Sequence, residues 1–460
     1  MLRFMLDRRE WLRIGGLAGL GLGTRVSASR SQATAGFGRA KSVLIIYAPG
    51  GMSQFETWDP KPNAPAEIRG EFSSIPTSVP GIRFGEHMPL LARRADRLTV
   101  LRSMTHDDVD HGSATYVTLT GVFHQKKSGN PPISPNDHPT YGAVLRRVRP
   151  EKRLPYTAVH VNAPVLAPVL PAPGQNGGFL GRAFEPLLVG DLTQDRTVLD
   201  DLLPPADVPA VRLESRRQLL AALDNATTGF NGRNLERPLQ LRQAFDLLVS
   251  EQLRKAFDLD LEPARLRDRY GRHRSGLSCL MGRRLVEAGV PWVTVFFNHG
   301  IRGQDTSPED TNEYGWDTHN DIFTAMRDHL LPRFDASFSC LLDDLHDRGL
   351  LETTLVVCLT EFGRAPVIAV ERNFAGNLPG RKHWASCYSV ALAGAGIKPG
   401  TTFGASDRQG AYPQHHPVTP GDLAATIFHA LGVDASRHFE DGIGRLYPIA
   451  TGTPVTGLFS

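Results

Sequence analysis

Histidines and carboxylates in this chain gather in a few short segments. Thr105 to Gly112 (THDDVDHG) packs His106, Asp107, Asp108, Asp110 and His111 into one stretch. Imidazoles and carboxylates crowded together without a lysine repel one another or need a cation; a solvated acidic loop is the plain alternative. Gly315 to Asp321 carries Asp317 and His319, where Asp317 or Thr318 could equally serve as a helix N-cap. Thr360 to Pro366 (TEFGRAP) carries Glu361 and Arg364, which can form part of a site or only an ion pair that tidies a loop. His383 stands beside Trp384, and the segment MSQFETWDPKP holds Glu56 and Asp59. Asp59-Pro60 reads as turn initiation, whereas Glu56 has no such local role.

These segments follow apolar runs that read as strands. Leu355 to Leu359 is unbroken, rich in β-branched residues and bounded by glycines and a proline, the pattern of a parallel strand buried on both faces. Ser42 to Ala48, Leu98 to Leu101, Thr157 to Val161, Pro291 to Phe297 and Tyr388 to Ala393 are read as further strands. Between them lie helical stretches: Met88 to Arg97, Ser113 to Thr120, and Ser275 to Ala288 with Gly289 at its C-cap. A longer stripe, Phe323 to Leu345, is expected to kink near Pro332. Thr419 and Pro420 open a last helix as N-cap and first-turn proline. Alternating strands and helices predict an α/β fold, doubly wound, with a mostly parallel sheet. In such sheets ligands collect outside the carboxyl ends of the strands, and that is where Glu361, Arg364, Asp317 and His319 fall.

The 460 residues exceed the usual single-domain size, and the formal net charge of +3 comes without long charged blocks. Nucleic acid is therefore not an implied partner. Four widely spaced cysteines without a CxxC pair read mostly as buried free thiols. Gly174 to Gly181 (GQNGGFLG) lacks the ending of a phosphate loop and is weak evidence for nucleotide. Residues 1–35 are read as a targeting segment. Arg8-Arg9-Glu10-Trp11-Leu12-Arg13 resembles the twin-arginine export pattern, Ile14 to Gly23 is too short for an ordinary membrane span, and Ala33-Thr34-Ala35 supplies a cleavage site. The expectation is an exported protein, periplasmic or extracellular, that uses the twin-arginine export machinery and has no stable membrane span. Residues 41–460 form the main domain, with a helical, charged insertion or lid expected at 211–273.

Beyond these local patterns, the chain from about Lys41 onward resembles an exported family known as a domain of unknown function, placed in the alkaline phosphatase/sulfatase-like superfamily. The resemblance rests on GG-x-S-x-x-x-T-x-DPKP at Gly50 to Pro62, EIRGEF at Glu67 to Phe72, TLTG at Thr118 to Gly121 and AGVPWVTV at Ala288 to Val295. It continues through WDTH at Trp316 to His319, TEFGRAP, HWASCYSVALAGAGI at His383 to Ile397 and TPGDLAATIFHALGV at Thr419 to Val433. The resemblance implies a doubly wound sheet with two metal ions at the strand ends. Asp317 and His319 would then be one Asp/His pair, Thr360-Glu361 would replace Ser-Asp, and His383 would be the final His. Ala48 or Pro49 stands where a first Asp is expected, leaving Glu56 or Asp59 as substitutes, and Phe362 stands where the second metal's His should be. At the nucleophile position the choices are Thr105, Ser113 and, nearer in register, His111.

Two functions follow from that resemblance. In the first, Asp317, His319, Glu361 and His383 hold a divalent ion, Zn, Mn or Ca, and the protein hydrolyses phosphate or sulfate esters, with Arg364 clamping the anion. Its substrate would be an anionic ester, including those of sulfated or phosphorylated polymers. In the second, catalysis is lost and the fold binds an anionic polymer or cell-surface partner.

Overall fold

The computed structural model describes residues 34–150, 154–194, 250–301 and 315–460, together with the helical positions 215, 218 and 219. The export signal, placed in residues 1–35, lies almost wholly outside the described residues, as does most of the 211–273 insertion. The end of that insertion forms two short helices, Glu251–Phe257 and Ala264–Tyr270. The chain divides into a segment Met1–Ala35 and a compact unit Gly36–Ser460.

Eight strands of the compact unit form one sheet: β1 Ser42–Tyr47, β2 Thr99–Met104, β3 Ala158–Val161, β4 Leu187–Val189, β5 Trp292–Phe296, β6 Thr354–Leu359, β7 Tyr388–Ala393 and β8 Thr401–Phe403. Their order across the sheet is β8-β2-β7-β6-β1-β5-β3-β4. β1 lies parallel between β5 and β6, with Tyr47 level with both Phe296 and Leu359. Only β7 runs antiparallel, between β2 and β6. The fold is thus α/β with a large, mostly parallel central sheet.

Unbroken apolar runs are needed because both faces of the sheet are covered. Along β1, Leu44 and Ile46 enter one core with Leu280, Phe334 and Leu341, while Val43, Ile45 and Tyr47 enter the other with Val144, Ile427 and Phe428. The covering helices are α1 His111–Thr120, α2 Tyr141–Val148, α3 Arg274–Glu287, α4 Leu331–Asp347 and α5 Pro420–Ala430. The first starts two residues earlier than the apolar pattern suggests, which places His111 in its opening turn. The Met88 to Arg97 stretch is shorter than expected, a single turn Pro89–Ala92 followed by a 3-10 turn Ala95–Arg97.

The kink near Pro332 takes a definite form. A helical turn Ile322–Ala325 widens into a π turn Met326–Leu330 before α4 begins, with Pro332 in its first turn. Proline has no N–H to donate and its ring crowds the carbonyl four residues back, so the turn opens there. Neither Asp317 nor Thr318 caps this helix; Asp321 occupies the N-cap position. α5 carries the expected Thr419 cap, closed into a capping box by Asp422. The four cysteines are all free and buried. No helix among the described residues is long and apolar enough to cross a membrane.

Candidate metal centre

The carboxyl ends of β1, β2, β5 and β6 open onto one rim of the sheet, and β7 starts from it. β2 runs into the THDDVDHG loop and α1, which delivers His111. β5 is followed, beyond residues 302–314, by the segment holding Asp317 and His319. β6 ends at Thr360 and Glu361, and a two-residue ribbon pairs Gly363–Arg364 with His383–Trp384 just before β7. Asp317 is anchored through its own N–H to the Ile301 carbonyl at 2.9 Å.

Four side chains meet at that rim. One donor atom from each of His111, Asp317, His319 and His383 lies within 4.8 Å of all the others. Asp317 Oδ1 is 3.1 Å from His111 Nε2, 3.0 Å from His319 Nε2 and 3.1 Å from His383 Nε2. Donor atoms about 2.1 Å from one ion stand about 3–4 Å apart, so these separations match a shared first shell.

Each imidazole is set from behind for the same task. His111 Nδ1 donates to Glu361 Oε1 at 2.6 Å, His319 Nδ1 to Glu371 Oε2 at 2.9 Å and His383 Nδ1 to the Val109 carbonyl at 2.6 Å. Carboxylates and carbonyls only accept, so each Nδ1 carries a proton and each Nε2 faces the centre, where it presents a lone pair whenever the ring is neutral. His319 Nε2 and His383 Nε2 are 2.8 Å apart, and His111 Nε2 is a buried nitrogen without a hydrogen bond. Lone pairs this close repel unless a cation lies among them. The donor set therefore fits a divalent metal.

Burial pushes the His111 pKa down, but Asp317 and Glu361 outweigh it and hold the group up at about 9. Burial likewise opposes ionisation of Asp317, yet His111 and Arg364 keep its carboxyl well below the usual range. For His383, burial and the neighbouring His111 depress the pKa to about 4. His111 thus holds a second proton on Nε2, facing Asp317, that a divalent ion would displace on binding, whereas neutral His383 already offers its lone pair.

Glu361 is fully buried and is not one of the four converging donors. Besides His111 it accepts from the Gly50 N–H at 2.8 Å, Tyr47 at 3.1 Å and Thr360 at 3.2 Å, so it stands behind the centre. His106 ties down the same residue, its Nε2 donating to the Glu361 carbonyl at 2.6 Å. Arg364 is also fully buried. It donates to Asp317 Oδ1 at 2.7 Å and to the carbonyls of Gly50, Gly51, Trp316 and Arg381. That guanidinium braces the loops around Asp317.

Glu56 and Asp59 do not join the cluster. Glu56 pairs with buried Arg381, and Asp59 with Lys61 at 3.0 Å and Arg102 at 3.5 Å. Thr105 is half-buried, its N–H given to the Val418 carbonyl. Asp108 gathers Ser113, Ser128 and the Asp110 N–H around one oxygen, which shapes the loop before α1. Phe362 packs its ring 4.9 Å from His111 and 4.6 Å from His383, an apolar plate where the resemblance implied another ligand. Among the described residues this is the one cluster of its kind. Sequence reasoning did not single out Glu371 or the Val109 carbonyl, because neither carries a motif.

Fold and site together define an α/β protein with a three-histidine, one-aspartate candidate metal centre at the carboxyl rim of its sheet. Residues 40–459 match the family described as "Protein of unknown function (DUF1501)", and the chain belongs to that family. No curated protein matches it. Among solved structures it is similar to Ps i-CgsB in complex with k-i-k-neocarrahexaose, at 10% identity and a TM-score of 0.42, covering 85% of this chain and 72% of that one. It is similar to the lipoteichoic acid synthase LtaP from Listeria monocytogenes at 9% identity and a TM-score of 0.40, covering 86% and 74%. It is also similar to the phosphonate monoester hydrolase SpPMH from Silicibacter pomeroyi at 12% identity and a TM-score of 0.39, covering 90% and 76%. Overlap this loose carries neither a substrate nor a residue correspondence.

Proposed function

We propose that the chain is an exported metal-dependent hydrolase of phosphate or sulfate esters, built on one divalent ion held by His111, Asp317, His319 and His383. The observation that supports it is the convergence of three Nε2 atoms and one carboxylate oxygen, each imidazole locked from behind. Three imidazoles favour Zn over Ca, which takes oxygen ligands. When bound, such an ion supplies Lewis acidity, polarising an ester oxygen and acidifying water. The protein's own residues orient the donors: Glu361 and Glu371 hold two rings, Val109 the third, and Arg364 the carboxylate. His383 and Asp317 keep 19% and 16% of their side-chain surface exposed, so the centre faces solvent and suits an ester on a bulky anionic molecule, polymers included. Export rests on the N-terminal twin-arginine pattern.

The test is metal analysis of the mature protein after metal-replete preparation, with a panel of chromogenic phosphate and sulfate esters in added Zn, Mn and Ca. About one ion per chain and hydrolysis lost in Asp317→Ala and His383→Ala are expected. Absence of bound metal, or hydrolysis unaffected by both substitutions, sinks the reading. Metal without hydrolysis leaves the binding-protein alternative.

A further inference from the structure

The loop between the TEFGRAP segment and His383 is wrapped around His319. Its base is closed by paired backbone hydrogen bonds between Ala369 and Gly380, at 3.0 and 2.9 Å. The Asn320 side chain fills its interior, donating to the carbonyls of Glu371 at 2.9 Å, Phe374 at 3.2 Å and Ala375 at 3.1 Å, and accepting the Glu371 N–H at 2.8 Å. Phe374 lies flat on the His319 ring, centroids 3.5 Å apart and planes 9° from parallel. Glu371 thus reaches His319 Nδ1 with its backbone already fixed, while its other oxygen pairs with Lys382 Nζ at 2.9 Å.

We propose that Glu371 is the positioning residue that sets metal affinity through His319, and that Lys382 attenuates it. The inference rests on the metal reading above and adds to it a residue in no recognised motif. A carboxylate on Nδ1–H fixes the ring and raises the donor strength of Nε2, and losing such a partner typically costs 10- to 100-fold in metal affinity. The Lys382 side chain is largely exposed and its ammonium shares the same carboxylate, drawing charge away from His319. Removing the ammonium should strengthen the Glu371–His319 bond.

The experiment measures Zn2+ affinity of the mature protein by competition with a chromophoric chelator. Glu371→Ala is expected to bind about 10- to 100-fold more weakly. Glu371→Gln, whose amide oxygen can still accept from Nδ1–H, is expected to fall between Ala and native while melting like the native protein without metal. Lys382→Ala is expected to bind more tightly than native, and that gain should vanish when it is combined with Glu371→Gln, since coupled neighbours are non-additive. A merely structural loop predicts instead that Lys382→Ala weakens binding or leaves it unchanged, and either result overturns the proposal. Equal affinity of native and Glu371→Gln also overturns it, including where Glu371→Ala fails to fold. Native protein that takes up no Zn2+ refutes the metal reading and this one together; native uptake with indifferent variants refutes only this one.

Discussion

Replacing Glu361 separates a group that tunes the centre from one that merely fills space. The carboxylate is fully buried and accepts four hydrogen bonds, from His111, Gly50, Tyr47 and Thr360. Burial opposes its ionisation, but the bond and charge of His111 keep its pKa below the ordinary glutamate value. Glu361→Gln keeps an oxygen for His111 and Gly50 but removes the negative charge. The expected loss in Zn2+ affinity is that of an outer carboxylate, about 10- to 100-fold, or roughly 1.4–2.7 kcal/mol. Glu361→Ala strands a buried imidazole, a backbone N–H and the Thr360 hydroxyl, while Tyr47 keeps Thr115, and breaking a buried pair of this kind costs about 3–5 kcal/mol of folding stability. Chelator competition reads the first quantity, and urea unfolding of metal-free protein reads the second. The reasoning fails if Gln binds Zn2+ as tightly as Glu, or if the Ala variant unfolds at the native urea midpoint.

Three further substitutions probe the scaffold. Arg364→Lys keeps the charge but loses the planar fork that serves four carbonyls and Asp317, so stability should drop by several kcal/mol; unchanged melting with a raised KM for an anionic ester would instead make Arg364 an anion clamp. Gly50 has φ of +112° and a side chain there would meet the Asp317 nitrogen at 2.5 Å, so Gly50→Ala should displace the Asp317 loop and abolish metal binding; native metal content in that variant would contradict the geometry. Asp335 accepts the N–H groups of Leu90 and Leu91 at 2.8 and 2.7 Å, and burial raises its pKa to about 6. A carboxyl raised in the fold stabilises most below its unfolded pKa of about 3.9, and that contribution is lost as pH rises through 6. Melting curves from pH 4 to 8 should therefore fall more steeply for native protein than for Asp335→Asn, and parallel curves would refute the assignment.

How much of this was legible before folding differs from element to element. The apolar runs at Ser42, Leu355 and Tyr388 announce strands because a strand covered on both faces has no room for alternation, so local composition carries the information. The segments bearing Asp317, His319 and His383 stand out for a similar reason, as polar chemistry abutting apolar runs. The roles within them do not. A carboxylate that ligates, one that orients a ligand and one that pairs with arginine look the same in a string of letters, which is why Glu361, Glu56 and Asp59 could all be read as donors. His111 and Glu361 touch although 250 residues separate them, and that contact depends on the strand order β2-β7-β6. Glu371 sits in a charged, exposed stretch with no sign of its task. The sequence by itself determined the α/β fold class and the segments where its polar chemistry would lie, since both follow from burial and chain direction. Only the tertiary structure decided which four atoms share a point and which groups stand behind them, because that depends on pairings between distant strands and on where each ring nitrogen finds its acceptor.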